Sequence, residues 1–95
     1  MSKETKKSDT HEERYIHLNV EGPRIKNMTL FARKEDDGTW YAAVSFCHKD
    51  DHFERRIGRQ VARRRYFNKD RAILGKEFTY EVALGAAQAA LAEIG

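Results

Sequence analysis

The chain has 95 residues, 40% of them hydrophobic and 35% charged, which predicts one domain with a core of modest size. Its single cysteine, Cys47, excludes an internal disulfide and therefore a disulfide-stapled secreted fold. No apolar run resembles a signal peptide or approaches membrane-spanning length, so the sequence predicts a cytoplasmic protein without a membrane segment.

The N-terminal segment differs in composition from the rest of the chain. Residues 1–13 are polar and mixed in charge, with no apolar residue after Met1. Such a segment cannot bury enough apolar surface to order itself, so we expect a disordered tail. The remaining residues, 14–95, are predicted to form a single α+β domain.

Three β-strands are predicted from the alternation of side chains in residues 15–20, 28–34 and 40–47. Between the last two strands lies Asp37-Gly38, the strongest short-range signal for a β-hairpin. The strands should therefore form an antiparallel meander with two different faces. One face is aliphatic, with Trp40 and Phe46. The other is partly aromatic and partly polar, with Tyr15, Phe31 and Tyr41.

A basic helix is predicted over residues 50–67. Asp51 would cap its N-terminus, and Glu54 three residues later completes a capping box. Helical periodicity gives the segment an apolar stripe that consists of Phe53, Ile57, Gly58, Val61 and Ala62. We expect this stripe to pack on the aliphatic face of the sheet.

Arginines occupy the other side of that helix. Residues 53–71 contain eight basic and two acidic side chains, a net charge of +6, whereas the whole chain carries +3. The planar guanidinium group pairs in a two-pronged manner with phosphates and carboxylates. The sequence therefore predicts a face for an anionic partner, formed by Arg55, Arg56, Arg59, Arg63, Arg64 and Lys69. The alternative is a solvated face that only confers solubility.

The last part of the chain is predicted as a loop or short turn over residues 71–76 and a helix over residues 79–94, capped by Thr79. The apolar stripe of this helix would be Tyr80, Leu84, Ala87, Leu91 and Ile94. Most of its other positions are alanine, and a helix so apolar all round is unusual on a monomer. We expect it to pack on two sides, against the domain or in a homodimer through Ala83, Ala86 and Ala90. The predicted order is β-β-β-α-α.

Two interpretations fit the aromatic face of the sheet. Tyr15, Phe31 and Tyr41 lie on adjacent strands, where they could stack nucleic-acid bases. Alternatively the C-terminal helix covers them as a second small core. We favour this second interpretation because that helix needs an apolar partner.

No combination of residues predicts catalysis, a cofactor or a metal site. His48 and His52 have a spacing seen in metal sites, but a structural zinc needs four ligands and the chain has one cysteine. Cys47 and His48 are neighbours on a strand and would point to opposite faces, which argues against a catalytic pair. The sequence also contains no Gly-rich phosphate loop and no serine nucleophile elbow. We expect a protein that is not an enzyme.

Residues 44–59 contain a hydrophobic strand that ends in Cys47, a turn at Lys49-Asp50, and the run Phe53-x-Arg55-x-x-Gly58-Arg59. This pattern resembles short proteins of phages and prophages. The resemblance implies an accessory factor that binds and disables host defence machinery, as anti-CRISPR proteins do, or that binds nucleic acid or a host enzyme. It transfers no functional residue to this chain.

Charge and resemblance together predict a non-enzymatic inhibitor of the anti-CRISPR type in the host cytoplasm. Its Arg-rich face would dock on a host nucleoprotein complex or in an acidic groove of a host protein. The alternative is a protein that binds DNA or RNA directly through the same helix.

Overall fold

A four-stranded sheet and two helices are formed by the residues that the structure, a computed structural model, describes: 11–20, 24–48 and 55–94. The elements in chain order are β1 (Glu13–Asn19), β2 (Ile25–Lys34), β3 (Trp40–His48), α1 (Arg55–Phe67), β4 (Ala72–Gly75) and α2 (Tyr80–Ile94). The α+β class is confirmed. No helix in these ranges is long and apolar enough to cross a membrane.

The sheet has the strand order β1-β2-β3-β4, and every neighbouring pair is antiparallel. The predicted three-stranded meander is therefore present, but the count of three strands was one too few. Residues 72–75, predicted as a loop or turn, pair with the start of β3, where Tyr41 lies opposite Ile73. Four residues are too few for side-chain alternation to reveal a strand, and its partner lies some thirty positions earlier in the chain.

The predicted hairpin between β2 and β3 is confirmed. The Glu35 amide donates to the Thr39 carbonyl at 2.9 Å, and the Gly38 amide donates to the Glu35 carbonyl at 2.9 Å. Gly38 has a φ of 82°, a conformation that glycine adopts without a steric penalty. The Asp37 carboxylate accepts a further hydrogen bond from the Thr39 amide. The Asp-Gly signal therefore marked the turn correctly.

One helix covers each face of the sheet, and the predicted assignment of helices to faces was wrong. The alanine-rich α2 packs Ala83 and Ala87 on the aliphatic face, against a cluster that includes Met28, Leu30 and Trp40. The basic α1 packs on the other face, in a cluster of Phe31, Ala43, Ala62 and Tyr66.

Side-chain size and polarity explain this arrangement. Alanines occupy little volume and fit closely over the large aliphatic side chains and Trp40. Tyr66 and the arginines of α1 instead need hydrogen-bond acceptors. The carboxylates of Glu13 and Glu35 provide these acceptors on the α1 side of the sheet.

The buried side of α1 is rotated from the predicted apolar stripe. Ala62, a member of the predicted stripe, and Tyr66, which was not, are fully buried, whereas the predicted Ile57 is 47% exposed. Gly58 lies so close to the sheet that an added Cβ would be 2.5 Å from Thr29 Oγ1, and its carbonyl accepts a hydrogen bond from the Ser45 hydroxyl. Phe53 and the predicted cap residues, Asp51 and Glu54, lie outside the described residues.

The C-terminus of α1 and the N-terminus of α2 both have recognisable caps. After α1, Lys69 has a φ of 71°, its amide donates to the Tyr66 carbonyl at 3.1 Å, and the Asp70 amide donates to the Arg65 carbonyl at 2.9 Å. This is the Schellman pattern of a helix C-terminus. At the start of α2, Thr79 Oγ1 accepts a hydrogen bond from the Val82 amide at 3.1 Å, which confirms the predicted N-cap.

Part of the predicted N-terminal tail belongs to the folded domain. Glu13 is the first residue of β1. The His11 ring lies 2.9 Å from Asp36 Oδ1 through one nitrogen and 2.9 Å from Arg33 Nη2 through the other. Residues 1–10 of the predicted tail lie outside the described residues.

Candidate binding face

Arg55, Arg59 and Arg63 form a row on the side of α1 that overhangs β1. Arg63 Nη1 donates to Glu13 Oε1 at 3.0 Å, and the Arg59 guanidinium lies 5.9 Å from the centre of the Tyr15 ring. Burial, together with the positive charges of Arg55 and Arg59, lowers the pKa of His17. The three arginines thus follow three alternate residues of β1 in reverse order. We call them the arginine row.

The arginine row follows β1 because one interval of the row along the helix is nearly as long as two residues of the strand. Four residues of α-helix rise by about 6 Å, and two residues of a strand rise by about 6.6 Å. An arginine at every fourth position of α1 therefore stays beside every second residue of an antiparallel β1. The predicted spacing of four residues is present, but the arginine side chains point in a different direction. They lie along the edge of the sheet, whereas the prediction placed them on the side of the helix away from its core.

Arg63 is the member of the row that the domain itself uses. Its guanidinium lies 5.1 Å from the centre of the Phe31 ring and 5.2 Å from that of Phe67. The hydrogen bond that Arg63 donates to the Glu13 carboxylate raises the pKa of Arg63. The same carboxylate also accepts a bond from Arg33 at 3.1 Å. Arg63 therefore helps to hold α1 on β1.

The outermost side of α1 carries a second line of polar side chains at helical spacing. Arg56, Gln60 and Arg64 are all exposed there. Two large apolar side chains flank this line, Ile57 at 47% and Phe67 at 46% exposure. We call these five residues the outer ridge. Lys69, also predicted to bind, is exposed just beyond the end of the helix.

A polar cluster around Glu35 was not predicted from the sequence. The Tyr66 hydroxyl donates to Glu35, and the Arg33 and Arg71 guanidinium groups lie 3.5 and 3.8 Å from the same carboxylate. Burial and this hydrogen bond raise the pKa of Tyr66. The members come from two separate elements and two loops, so no local spacing could have identified the cluster.

The aromatic set predicted for base stacking lies under α1. Phe31 has no exposed surface, and the Arg71 guanidinium covers Tyr41 at 5.0 Å from its ring centre. Tyr15 is 37% exposed, at the edge of the sheet. The interpretation that the C-terminal helix covers this face was wrong, since α1 and the Arg71 side chain cover it. Phe31 and Tyr41 have no open ring face for a base in this arrangement.

The three alanines proposed for a dimer interface lie in different surroundings. Ala83 is 1% exposed and belongs to the core. Ala86 and Ala90 line a cleft of about 550 Å³ that α2 forms with β3, β4 and the segment before β4. Arg65 of α1 also lines this cleft, and its Nη1 donates to the Val44 carbonyl at 3.0 Å.

Within residues 11–20, 24–48 and 55–94, no three His, Cys, Asp or Glu side chains are grouped as metal ligands would be. The candidate binding face consists of the arginine row and the outer ridge. No protein-family model matches the chain, and no curated protein or solved structure shows significant similarity to it.

Proposed function

We propose that this protein is a non-enzymatic inhibitor that binds through α1 in an acidic groove of a host protein, which can be part of a nucleoprotein complex. The observation that supports it best is the mixture of guanidinium groups and large apolar side chains on α1. The host setting, a phage accessory protein of the anti-CRISPR type acting in the cytoplasm, rests on the resemblance of residues 44–59.

The composition of the outer ridge favours a protein partner over nucleic acid. Arginine and aromatic side chains are enriched in the centres of protein interfaces, whereas faces that bind nucleic acid are more polar. Ile57 and Phe67 are about half exposed beside Arg56 and Arg64. Burial of these two apolar side chains would add to affinity only if the partner offers an apolar surface as well as carboxylates.

Two cations of α1, Arg55 and Arg64, are available to an acidic partner. Arg55 and Arg64 are exposed, and neither forms an ion pair with another of the described residues. Charged groups at an interface mainly accelerate association and select the partner. A groove lined with Asp and Glu would therefore be recognised by these cations, while Ile57 and Phe67 provide the apolar contact.

The test compares two double charge reversals in a pull-down from host lysate, followed by titration of the captured protein. Arg56→Glu with Arg64→Glu should abolish capture. Arg24→Glu with Lys26→Glu changes the net charge equally on another part of the surface and should preserve it. Equal capture by both variants would contradict the proposal.

Direct binding to nucleic acid is the competing function, supported by the +6 charge of residues 53–71. Labelled single- and double-stranded DNA and RNA should be titrated at low and physiological salt. A nucleic-acid binder would show affinity that falls with salt by about 0.9 logarithmic units per phosphate contacted in a duplex. Micromolar binding with such a slope would replace our proposal by this alternative.

A further inference from the structure

The outer edge of β1 offers main-chain hydrogen-bonding groups to a further strand. β1 is the first strand of the sheet, and no strand among the described residues pairs with its other side. Its length of seven residues exceeds the usual length of a protected edge strand. An edge of this kind can accept an extended segment of another protein by strand addition.

The register shows which main-chain groups face outward. The Glu12 main-chain carbonyl accepts a hydrogen bond from the Lys34 amide at 3.0 Å, and the Val20 amide donates to the Lys26 carbonyl at 2.8 Å. In an antiparallel pair such hydrogen-bonded residues alternate with residues whose amide and carbonyl point away. The even-numbered residues of β1 therefore bond β2. The odd-numbered residues, including Glu13, Tyr15 and Asn19, direct their amide and carbonyl groups to the open edge.

The arginine row lies above this edge. Arg59 and Arg63 reach Tyr15 and Glu13, two of the residues whose main-chain groups point outward. The Glu13 carboxylate, on this side of β1, accepts a hydrogen bond from Arg63 at 3.0 Å. Other carboxylates on this side of a strand can bind the arginine row in the same way. A neighbouring strand with acidic side chains at alternate positions would repeat this geometry beneath Arg55 and Arg59.

The opposite side of the same edge is apolar at Ile16 and Leu18, while Arg14 at its start lies 5.9 Å from the centre of the Trp40 ring. Ile16 and Leu18 are half-buried and pack against the aliphatic core beneath α2. A strand beside β1 would therefore have one row of side chains under guanidinium groups and the other row next to Ile16 and Leu18. Alternation of acidic and apolar residues fits both sides.

We propose that the protein partner contributes an extended segment of alternating acidic and apolar residues, which adds to β1 as an antiparallel fifth strand under the arginine row. This inference rests on the proposed function and specifies the form and chemistry of the partner. A second copy of this chain fits less well. Two-fold pairing of β1 with its copy would place both arginine rows on the same face of one sheet, where they repel each other.

The probe is a capped ten-residue peptide of alternating Glu and Val, titrated at physiological salt. A peptide of five Glu followed by five Val has the same charge and composition and serves as its control. The alternating peptide should bind at least roughly tenfold more tightly than the block peptide. Equal affinity would mean that only net charge is recognised, and this result would overturn the proposal.

Methylated peptides test the main-chain bonds. Opposite residues of an antiparallel pair place their side chains on the same face, so the Glu amides of the peptide would face β1 and the Val amides would face solvent. N-methylation of the Glu residues should abolish binding, and N-methylation of the Val residues should leave it nearly unchanged. Equal effects of the two patterns would overturn strand addition.

Variants of the protein complete the test. Arg55→Glu with Arg59→Glu should weaken binding of the alternating peptide by roughly tenfold or more, whereas Arg56→Glu with Arg64→Glu, away from β1, should change it little at physiological salt. Far-UV circular dichroism should confirm that both variants are folded. A peptide that does not bind the unmodified protein overturns this inference alone, because loss of the host partner in the outer-ridge variant would still support the proposed function.

Discussion

Gly58 lies where α1 comes closest to the sheet, opposite Thr29 of β2 and Ser45 of β3. An added Cβ would be 2.5 Å from Thr29 Oγ1, closer than van der Waals contact allows. We expect Gly58→Ala to lower the free energy of unfolding by about 1–3 kcal/mol, because overpacking outweighs the helix propensity of alanine. Urea denaturation measures this change.

Gly85 of α2 is the matched control for Gly58. It is exposed within a helix, and an added Cβ there would meet no atom within 4 Å. Gly85→Ala should therefore raise the free energy of unfolding by about 0.5–1 kcal/mol. If both substitutions stabilised the protein, α1 could not lie as close to the sheet as described.

His17 should make the stability of the domain depend on pH. Its ring accepts or donates a 3.0 Å hydrogen bond with Thr29 Oγ1, and its pKa is lowered by burial and by the charges of Arg55 and Arg59. The unfolded chain binds a proton at this residue near pH 6.5, while the folded domain resists it. Stability should therefore be complete above that pH and should decrease as the pH falls below it.

The measurement is the free energy of unfolding at several values between about pH 5 and pH 7. The His17→Asn variant should show a flatter dependence than the unmodified protein over this range. Since the other histidines are common to both proteins, the difference isolates His17. Identical slopes would show that the surroundings of His17 do not favour its neutral form.

At the scale of single elements, β1 should show an alternating pattern of amide hydrogen exchange. The amides of Ile16 and Leu18 are directed to β2 and should be protected. The amides of Tyr15 and Asn19 are directed to the outer edge and should exchange rapidly. Nuclear magnetic resonance can follow each amide separately. Uniform protection along β1 would indicate that its outer edge is already covered.

The same scale shows why α1 is harder to predict than the strands. Helical periodicity centred the buried stripe on Ile57 and Val61, with Gly58 and Ala62 beside them. The structure instead buries Ala62 and Tyr66 and places Gly58 against the sheet. Both faces are compatible with a helix. The sheet selects between them, because only the glycine side allows close approach and only Tyr66 finds an acceptor in Glu35.

At the scale of the whole molecule, the two helices depend on one sheet. Leu30 and Phe31 are adjacent in β2, both without exposed surface, and they point into the clusters beneath α2 and α1 respectively. Loss of either helix would expose one of them to water. We therefore expect both clusters to unfold in a single cooperative transition.

Trp40 makes this expectation measurable, since it lies in the cluster beneath α2 at 5% exposure. Its fluorescence and the far-UV circular dichroism of the whole domain should give the same unfolding midpoint in urea. The midpoint should not depend on protein concentration if the folded state is a monomer. A fluorescence change that precedes the loss of circular dichroism would mean that α2 separates while the rest of the domain stays folded.

Much of the fold follows from signals within a few residues of each other. Side-chain alternation predicts β1, β2 and β3, Asp37-Gly38 predicts their hairpin, and Thr79 predicts the start of α2. These features depend on local backbone preferences, which the sequence contains in full. β4 is the exception, because its four residues become a strand only by pairing with β3.

The direction in which the candidate binding residues point depends on packing between distant parts of the chain. The interval of four between Arg55, Arg59 and Arg63 can be read from the sequence, but nothing in the interval reveals whether the row faces solvent or β1. Its direction follows from which face of the sheet α1 covers, and that choice depends on contacts of Gly58 and Tyr66 with strands far away in sequence. The sequence therefore predicts a cationic surface, and tertiary packing places the arginine row of that surface above an open strand edge.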